Sequence, residues 1–101
     1  MIIYNVTVNI EDDIQDEWFT WMKKKHIPDI LQTGFFVDYK MLKLLNVESG
    51  TTGTTYAVQY YCPNISNLER YLEDFAPALR DDSIARFGDA FIAYHTFFEE
   101  V

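Results

Sequence analysis

The sequence predicts an α+β domain with the element order β-α-β-β-α-β. Three observations carry this expectation: strand-like apolar runs near both ends, the first of them alternating, a strand–turn–strand pattern in the middle, and two segments between them whose apolar residues recur at spacings of three and four. That order is the ferredoxin-like arrangement, a four-stranded antiparallel sheet with two helices on one face. The 101 residues, 49% hydrophobic and 17% aromatic, are enough for one core, so residues 1–101 read as a single domain.

The first strand, IIYNVTVNI over residues 2–10, sets Ile2, Tyr4, Val6, Val8 and Ile10 on one face and Ile3, Asn5, Thr7 and Asn9 on the other. Residues 11–26 change to a helical period through Ile14, Trp18, Trp21 and Met22, with Asp12 or Asp13 as the cap and both tryptophans in the core. Lys23, Lys24 and Lys25 close this helix, opposite Glu11, Asp12, Asp13, Asp16 and Glu17 in its first turns, a distribution that suits the helix dipole without any ligand. Ile27-Pro28 interrupts the helix, because a residue before proline is pushed out of the α region, and a short turn follows that stops at Gly34. Residues 35–48 form a long second strand, 49–53 a turn and 54–62 the returning strand. Ser66 and Glu69 make a capping box ahead of Leu68, Leu72, Phe75 and Leu79. Pro77 kinks or ends that helix, one more turn follows, and residues 91–100 form the fourth strand.

The two sheet faces do not divide into greasy and polar. Strand 2 carries Phe35, Val37, Tyr39 and Met41 on one side and Phe36, Leu42 and Leu44 on the other, and strand 4 opposes Phe91 and Phe97 to Tyr94 and Phe98. Two helices cover one face only, so the second face is expected to be covered by a second copy, closing a homodimeric α+β barrel. The alternative is an open mixed face with a bulge in strand 2.

A net charge of −8 without a basic face excludes nucleic acid and anionic membrane as expected partners. Cys62 stands alone, which excludes an internal disulfide and suits a reducing compartment, where it reads as structural. The opening residues lack the features of a signal peptide and no apolar run approaches the ~20 residues of a membrane span, so a cytoplasmic location is expected. Neither H-x-x-H nor a His/Cys/carboxylate cluster occurs, and residues 49–53 lead from strand to strand rather than into a helix. No metal and no cofactor are expected.

The opening MIIYNVTVNI, the W-x-x-W-M helix running into KHIPDILQTGFF and the closing RFGDAFIAYHTFFEEV resemble, end to end, a family of short bacterial proteins built on a domain of unknown function. By element order and size the chain is also similar to the dimeric α+β barrel superfamily, which includes antibiotic-biosynthesis monooxygenases, haem-degrading monooxygenases, muconolactone isomerases and stress-responsive barrel proteins. The haem-degrading members use an asparagine, a tryptophan and a histidine; here Asn5 lies on the first strand, whereas Trp18 and Trp21 lie on the first helix.

Six residues are candidates for a site. His26 falls four positions after Met22 and eight after Trp18, at the edge of the buried stripe, where it is either a packed histidine bonded to a carbonyl or a general base and polar anchor at a pocket mouth. Asn5, Thr7 and Asn9 share a face with Gln59 and Tyr61 of the third strand; in a lone domain they face water, and in a closed dimer they line a small cavity. His95 reads as a cross-strand packing residue near the dimer seam or as a ligand. Two functions follow: a non-catalytic homodimer that binds a small aromatic or carboxylated metabolite, or a cofactor-independent monooxygenase or isomerase on an activated aromatic substrate, with Asn5 polarising it and His26 as base.

Overall fold

Alternation in the first segment makes it the spine of the sheet. In the computed structural model, which describes residues 1–46 and 48–101, β1 (Ile2–Ile10) pairs antiparallel with both β3 (Thr54–Cys62) and β4 (Phe91–Glu99), and β2 (Asp38–Lys43) pairs antiparallel with β3. The order across the sheet is β2-β3-β1-β4. Val6 lies opposite Val58 and His95, and Asn5 opposite Gln59 and Thr96, so each face draws its residues from every strand in a fixed register.

One face carries the helices. They comprise a 3-10 turn (Asp12–Ile14) running into α1 (Gln15–Trp21), a π turn (Met22–His26), α2 (Ile27–Leu31), α3 (Ile65–Asp74) and α4 (Ala76–Phe87). Between them and the sheet lie Tyr4, Val8 and Ile10 of β1, Val58, Tyr60 and Cys62 of β3, and Trp18, Met22, Ile27, Ile30, Leu68 and Tyr71 of the helices, all buried. Each such side chain contributes roughly 1.5–3 kcal/mol by leaving water. The architecture is the α+β, ferredoxin-like one read from the sequence.

Several local expectations are corrected. The second strand begins at Asp38 and ends at Lys43, not at 35 and 48, although the ladder bonds from Val37 N–H to the Tyr61 carbonyl and from Leu44 N–H to the Thr55 carbonyl extend it slightly; the expected span also includes Val47, which lies outside the described residues. Phe36 leaves the alternation to stack among Tyr4, Tyr60 and Tyr71, while Phe35 packs on Phe75, so both phenylalanines enter the helical layer. Two successive aromatics packed into one layer cannot belong to a strand of period two. The cap of α3 is Asn64, whose side chain accepts from the Asn67 N–H at 2.9 Å, instead of the Ser66 box, and neither Asp12 nor Asp13 caps the first helix. Pro77 opens α4 near its first turn, where its missing N–H is harmless, and α4 runs for 12 residues to Gly88, whose φ of 59° ends it.

Pro28 acts differently from expectation too. The backbone stays helical from Gln15 to Leu31, and the strain is absorbed upstream: the Ile27 N–H reaches back five residues to the Met22 carbonyl. Pro28 has no N–H to give to the carbonyl four residues earlier, and a widened turn carries the ladder past that gap. The lysines therefore ride on the middle of a continuous helical segment. Lys24 is exposed, Lys25 pairs with Asp29 at 2.8 Å, and Lys23 lies over the Tyr39 ring at 5.3 Å.

Candidate functional site

A cavity of about 210 Å³ lies between the sheet and the helices. Its floor is the even-numbered face of β1, with Tyr4, Val6 and Val8, extended by Tyr60 of β3 and by Phe91, Ala93 and His95 of β4. Trp18, Met22, His26 and Ile30 form one wall, Tyr71 and α4 the other, with Arg80, Ser83 and Ile84 on α4. Alternation puts His95 on this floor, since it pairs with Val6 while Tyr94 and Thr96 point the other way.

The floor carries a hydrogen-bonded pair: the Tyr4 hydroxyl and His95 Nδ1 are 2.6 Å apart, with the rings stacked at 5.4 Å. Burial raises the Tyr4 hydroxyl above its ordinary pKa, against an opposing pull from the nearby Arg80 guanidinium. Burial also lowers His95, and Arg80 lowers it further, so the pair is neutral at pH 7. Arg80 is the cavity's only charged side chain, and among the described residues it makes no ion pair.

The π turn supplies the other polar group. By widening the helix between Met22 and His26 it keeps both side chains on the cavity wall, where His26 stacks on Trp21 at 4.7 Å. His26 Nδ1 is buried without a hydrogen-bond partner. Burial pushes its pKa down to about 4, partly opposed by Asp29 and Asp82, so the ring is an uncharged imidazole at pH 7. Tyr71 is raised for the same reason of burial.

Of the six candidate residues, His26 alone lines this cavity. Asn5, Thr7, Asn9, Gln59 and Tyr61 are on the opposite face of the sheet, and Asn5 and His26 are not brought together. Asn9 is occupied structurally, its amide donating to the Thr52 carbonyl and Thr55 Oγ1 at 3.1 Å each, and any Cβ at Gly53 would meet the Ile10 carbonyl at 2.7 Å. Asn5 donates to Thr7 Oγ1 at 3.0 Å but its own Oδ1, buried with only 6% of the residue exposed, has no partner. Cys62 is buried, its thiol donating to the Asn64 carbonyl at 3.2 Å. Among the described residues no three His, Cys, Asp or Glu side chains converge as a metal would require, and no helix is long and apolar enough to cross a membrane. Sequence reasoning missed Tyr4, Arg80 and Ser83. The available signal was the strand register: Tyr4 and His95 both fall on the helix-facing parity, whereas Arg80 was hidden by the expectation that Pro77 ended the helix.

Over residues 1–101 the chain matches the family described as domain of unknown function (DUF4286). It belongs to that family. No curated protein matches it in sequence. Solved structures share the fold at low identity: a dimeric ferredoxin-like protein from an uncultured marine organism (12% identity, 99% of this chain and 97% of the other, TM-score 0.67), an antibiotic biosynthesis monooxygenase (12%, 100% and 99%, 0.63), and a MhuD variant with two manganese protoporphyrin IX molecules bound per active site (13%, 100% and 95%, 0.68). The DUF4286 chain thus shares the ferredoxin-like fold of these structures.

Proposed function

We propose that the protein is a cytoplasmic homodimer that binds a small aromatic or carboxylated metabolite in the cavity between its sheet and helices. The observation that carries this reading is the cavity's charge: in a chain of net charge −8, it holds one unpaired arginine, no carboxylate, and mostly apolar walls. Concave, mostly apolar pockets with a few converging polar groups are how small-molecule sites are built, and one smaller than the ~300–1,000 Å³ of drug-sized sites suits a single ring rather than a porphyrin.

The dimer rests on the other face. Leu42, Leu44, Ile92, Tyr94 and Phe98 are exposed there, with Ile92 70% and Tyr94 61% open to solvent, and a related fold is described as dimeric. A second copy laid face to face covers them, and Asn5, Thr7, Gln59 and Tyr61 then line the seam.

A second reading, a cofactor-independent monooxygenase or isomerase, is favoured by the neutral His26 and the Tyr4–His95 pair on one cavity, since an uncharged imidazole can take a proton from an activated substrate. A thermal-shift screen of aromatic acids, quinols and haem, followed by oxygen uptake with any quinol that binds, separates the two. Stabilisation by aromatic acids without oxygen uptake supports the binding protein; oxygen uptake abolished by His26→Ala supports the enzyme. Absence of any shift contradicts both.

A further inference from the structure

Resting on the reading of the cavity as a small-molecule site, we propose that Tyr4 holds the His95 ring with its proton on Nε2, and that this N–H and Arg80 together receive the carboxylate of a small aromatic acid. Tyr4 is the positioning residue; His95 and Arg80 make the contacts.

The tautomer follows from burial. Tyr4 is 3% exposed, and among the described residues its hydroxyl has one hydrogen-bond partner, His95 Nδ1 at 2.6 Å. Arg80, which also pulls on this hydroxyl, carries donors only. A buried O–H must give its proton to an acceptor or lose a hydrogen bond, so Nδ1 accepts and bears no proton. Burial and then Arg80 lower the pKa of His95, and a neutral imidazole has a single N–H, which is left on Nε2.

Nε2 is open to a ligand. His95 is half-buried on the cavity floor, with Nδ1 turned to the packed Tyr4 and Nε2 on the edge pointing away from it. Among the described residues the buried side-chain nitrogens and oxygens without a partner are Asn5 Oδ1 and His26 Nδ1, so the unpartnered Nε2 of His95 is accessible. Arg80 lines the same cavity from α4, four residues after Ala76 and three before Ser83 on one helical stripe, and is exposed at the rim. No Asp or Glu lines the cavity, and Arg80 makes no ion pair among the described residues. Two donors, one of them charged, call for an anionic acceptor, and a carboxylate has lone pairs enough to accept from a guanidinium and an imidazole N–H at once. The apolar lining of Val6, Val8, Trp18 and Met22 suits a flat ring and penalises a second charge, which favours a carboxylate over a phosphate.

Long-range proton–nitrogen NMR of the isotope-labelled, unaltered protein at pH 8 tests the tautomer with no ligand present. His95, identified by the signals missing from His95→Gln, is expected to show a protonated Nε2 and a bare Nδ1, and Tyr4→Phe to move both nitrogens toward the averaged positions of free imidazole. The reverse tautomer in the unaltered protein, or unmoved nitrogens in a folded Tyr4→Phe, overturns the role of Tyr4. Calorimetry with benzoate, benzamide, benzylamine and phenyl phosphate tests the ligand. Benzoate is expected to bind about tenfold more tightly than the other three, to move the Nε2 resonance of His95, and to lose about tenfold in Arg80→Gln and in His95→Phe. Benzoate binding that leaves the resonance in place overturns the donor role of His95 and leaves the small-molecule reading standing; read on the unaltered protein, it decides even where His95→Phe does not fold. Benzamide or phenyl phosphate binding as tightly as benzoate overturns the carboxylate. No binding by any probe at millimolar concentration, with no thermal shift, removes the small-molecule reading and the ligand together, while the tautomer stands or falls on the NMR spectrum alone.

Discussion

The two faces of the sheet share the same four strands and carry opposite chemistry. The helix-covered face buries Tyr4, Val8, Ile10, Val58 and Tyr60 and forms a cleft with the half-buried His26, the Tyr4–His95 pair and, at its exposed rim, Arg80; the open face shows Ile92, Tyr94 and Phe98 around a buried Asn5. Among the described residues each face has one orphaned buried polar atom, His26 Nδ1 on the first and Asn5 Oδ1 on the second. The difference lies in what each face can accept. A half-open cleft admits a small molecule, while a broad, half-apolar sheet admits another sheet.

The largest expected effect contrasts the faces by stability. Trp18→Ala, in the helix-facing core, is expected to cost about 3–5 kcal/mol by chemical denaturation. Leu42→Ala, on the open face, is expected to cost under about 1 kcal/mol in dilute monomer and more at concentrations where dimer forms. Equal costs at all concentrations would erase the distinction between the faces.

A pH series sharpens the same contrast. His26 ordinarily titrates at 6.5 and in the fold is held down to about 4, so between these values the unfolded chain binds the proton first and stability falls as pH falls. The groups facing it, Asp29, Asp82 and Lys25, do not reverse this, because burial is the largest influence. The expected slope from this group approaches about 1.4 kcal/mol per pH unit between pH 6.5 and 4, with a smaller contribution of the same sign from the half-buried His95. His26→Phe should flatten most of it, and an unchanged slope would mean that the ring is hydrated. The smallest effect is reserved for the lysine run: Lys24→Ala should stay within about 0.5 kcal/mol, since its side chain is exposed and unpaired among the described residues.

The strand parities were legible in the sequence because period two leaves no ambiguity once one residue is placed, which is why β1, β3 and β4 fall where alternation put them. Prolines misled. Pro28 and Pro77 both read as breaks, yet one sits just beyond a π turn that preserves the helix and the other starts a 12-residue helix bearing Arg80. The cavity was half visible for the same reason: His26 could be placed by the spacing from Trp18 and Met22, but its floor and its cation needed the three-dimensional register of β4 and the length of α4. Phe36 shows the converse limit, since nothing in its neighbours signals that it turns into the helical layer.

Mass and affinity measured on the same samples test the division of labour between the faces most directly. Light scattering and calorimetry with the aromatic acid that gives the largest thermal shift are compared for Tyr94→Arg and Arg80→Gln. Tyr94→Arg is predicted to run as the 11.9 kDa monomer at concentrations where the unaltered protein is dimeric, with affinity kept within about threefold, and Arg80→Gln to remain a dimer while losing about tenfold in affinity. A Tyr94→Arg protein that stays dimeric, or that loses the ligand while Arg80→Gln keeps it, would contradict the assignment of association to the open face and of ligand chemistry to the covered one.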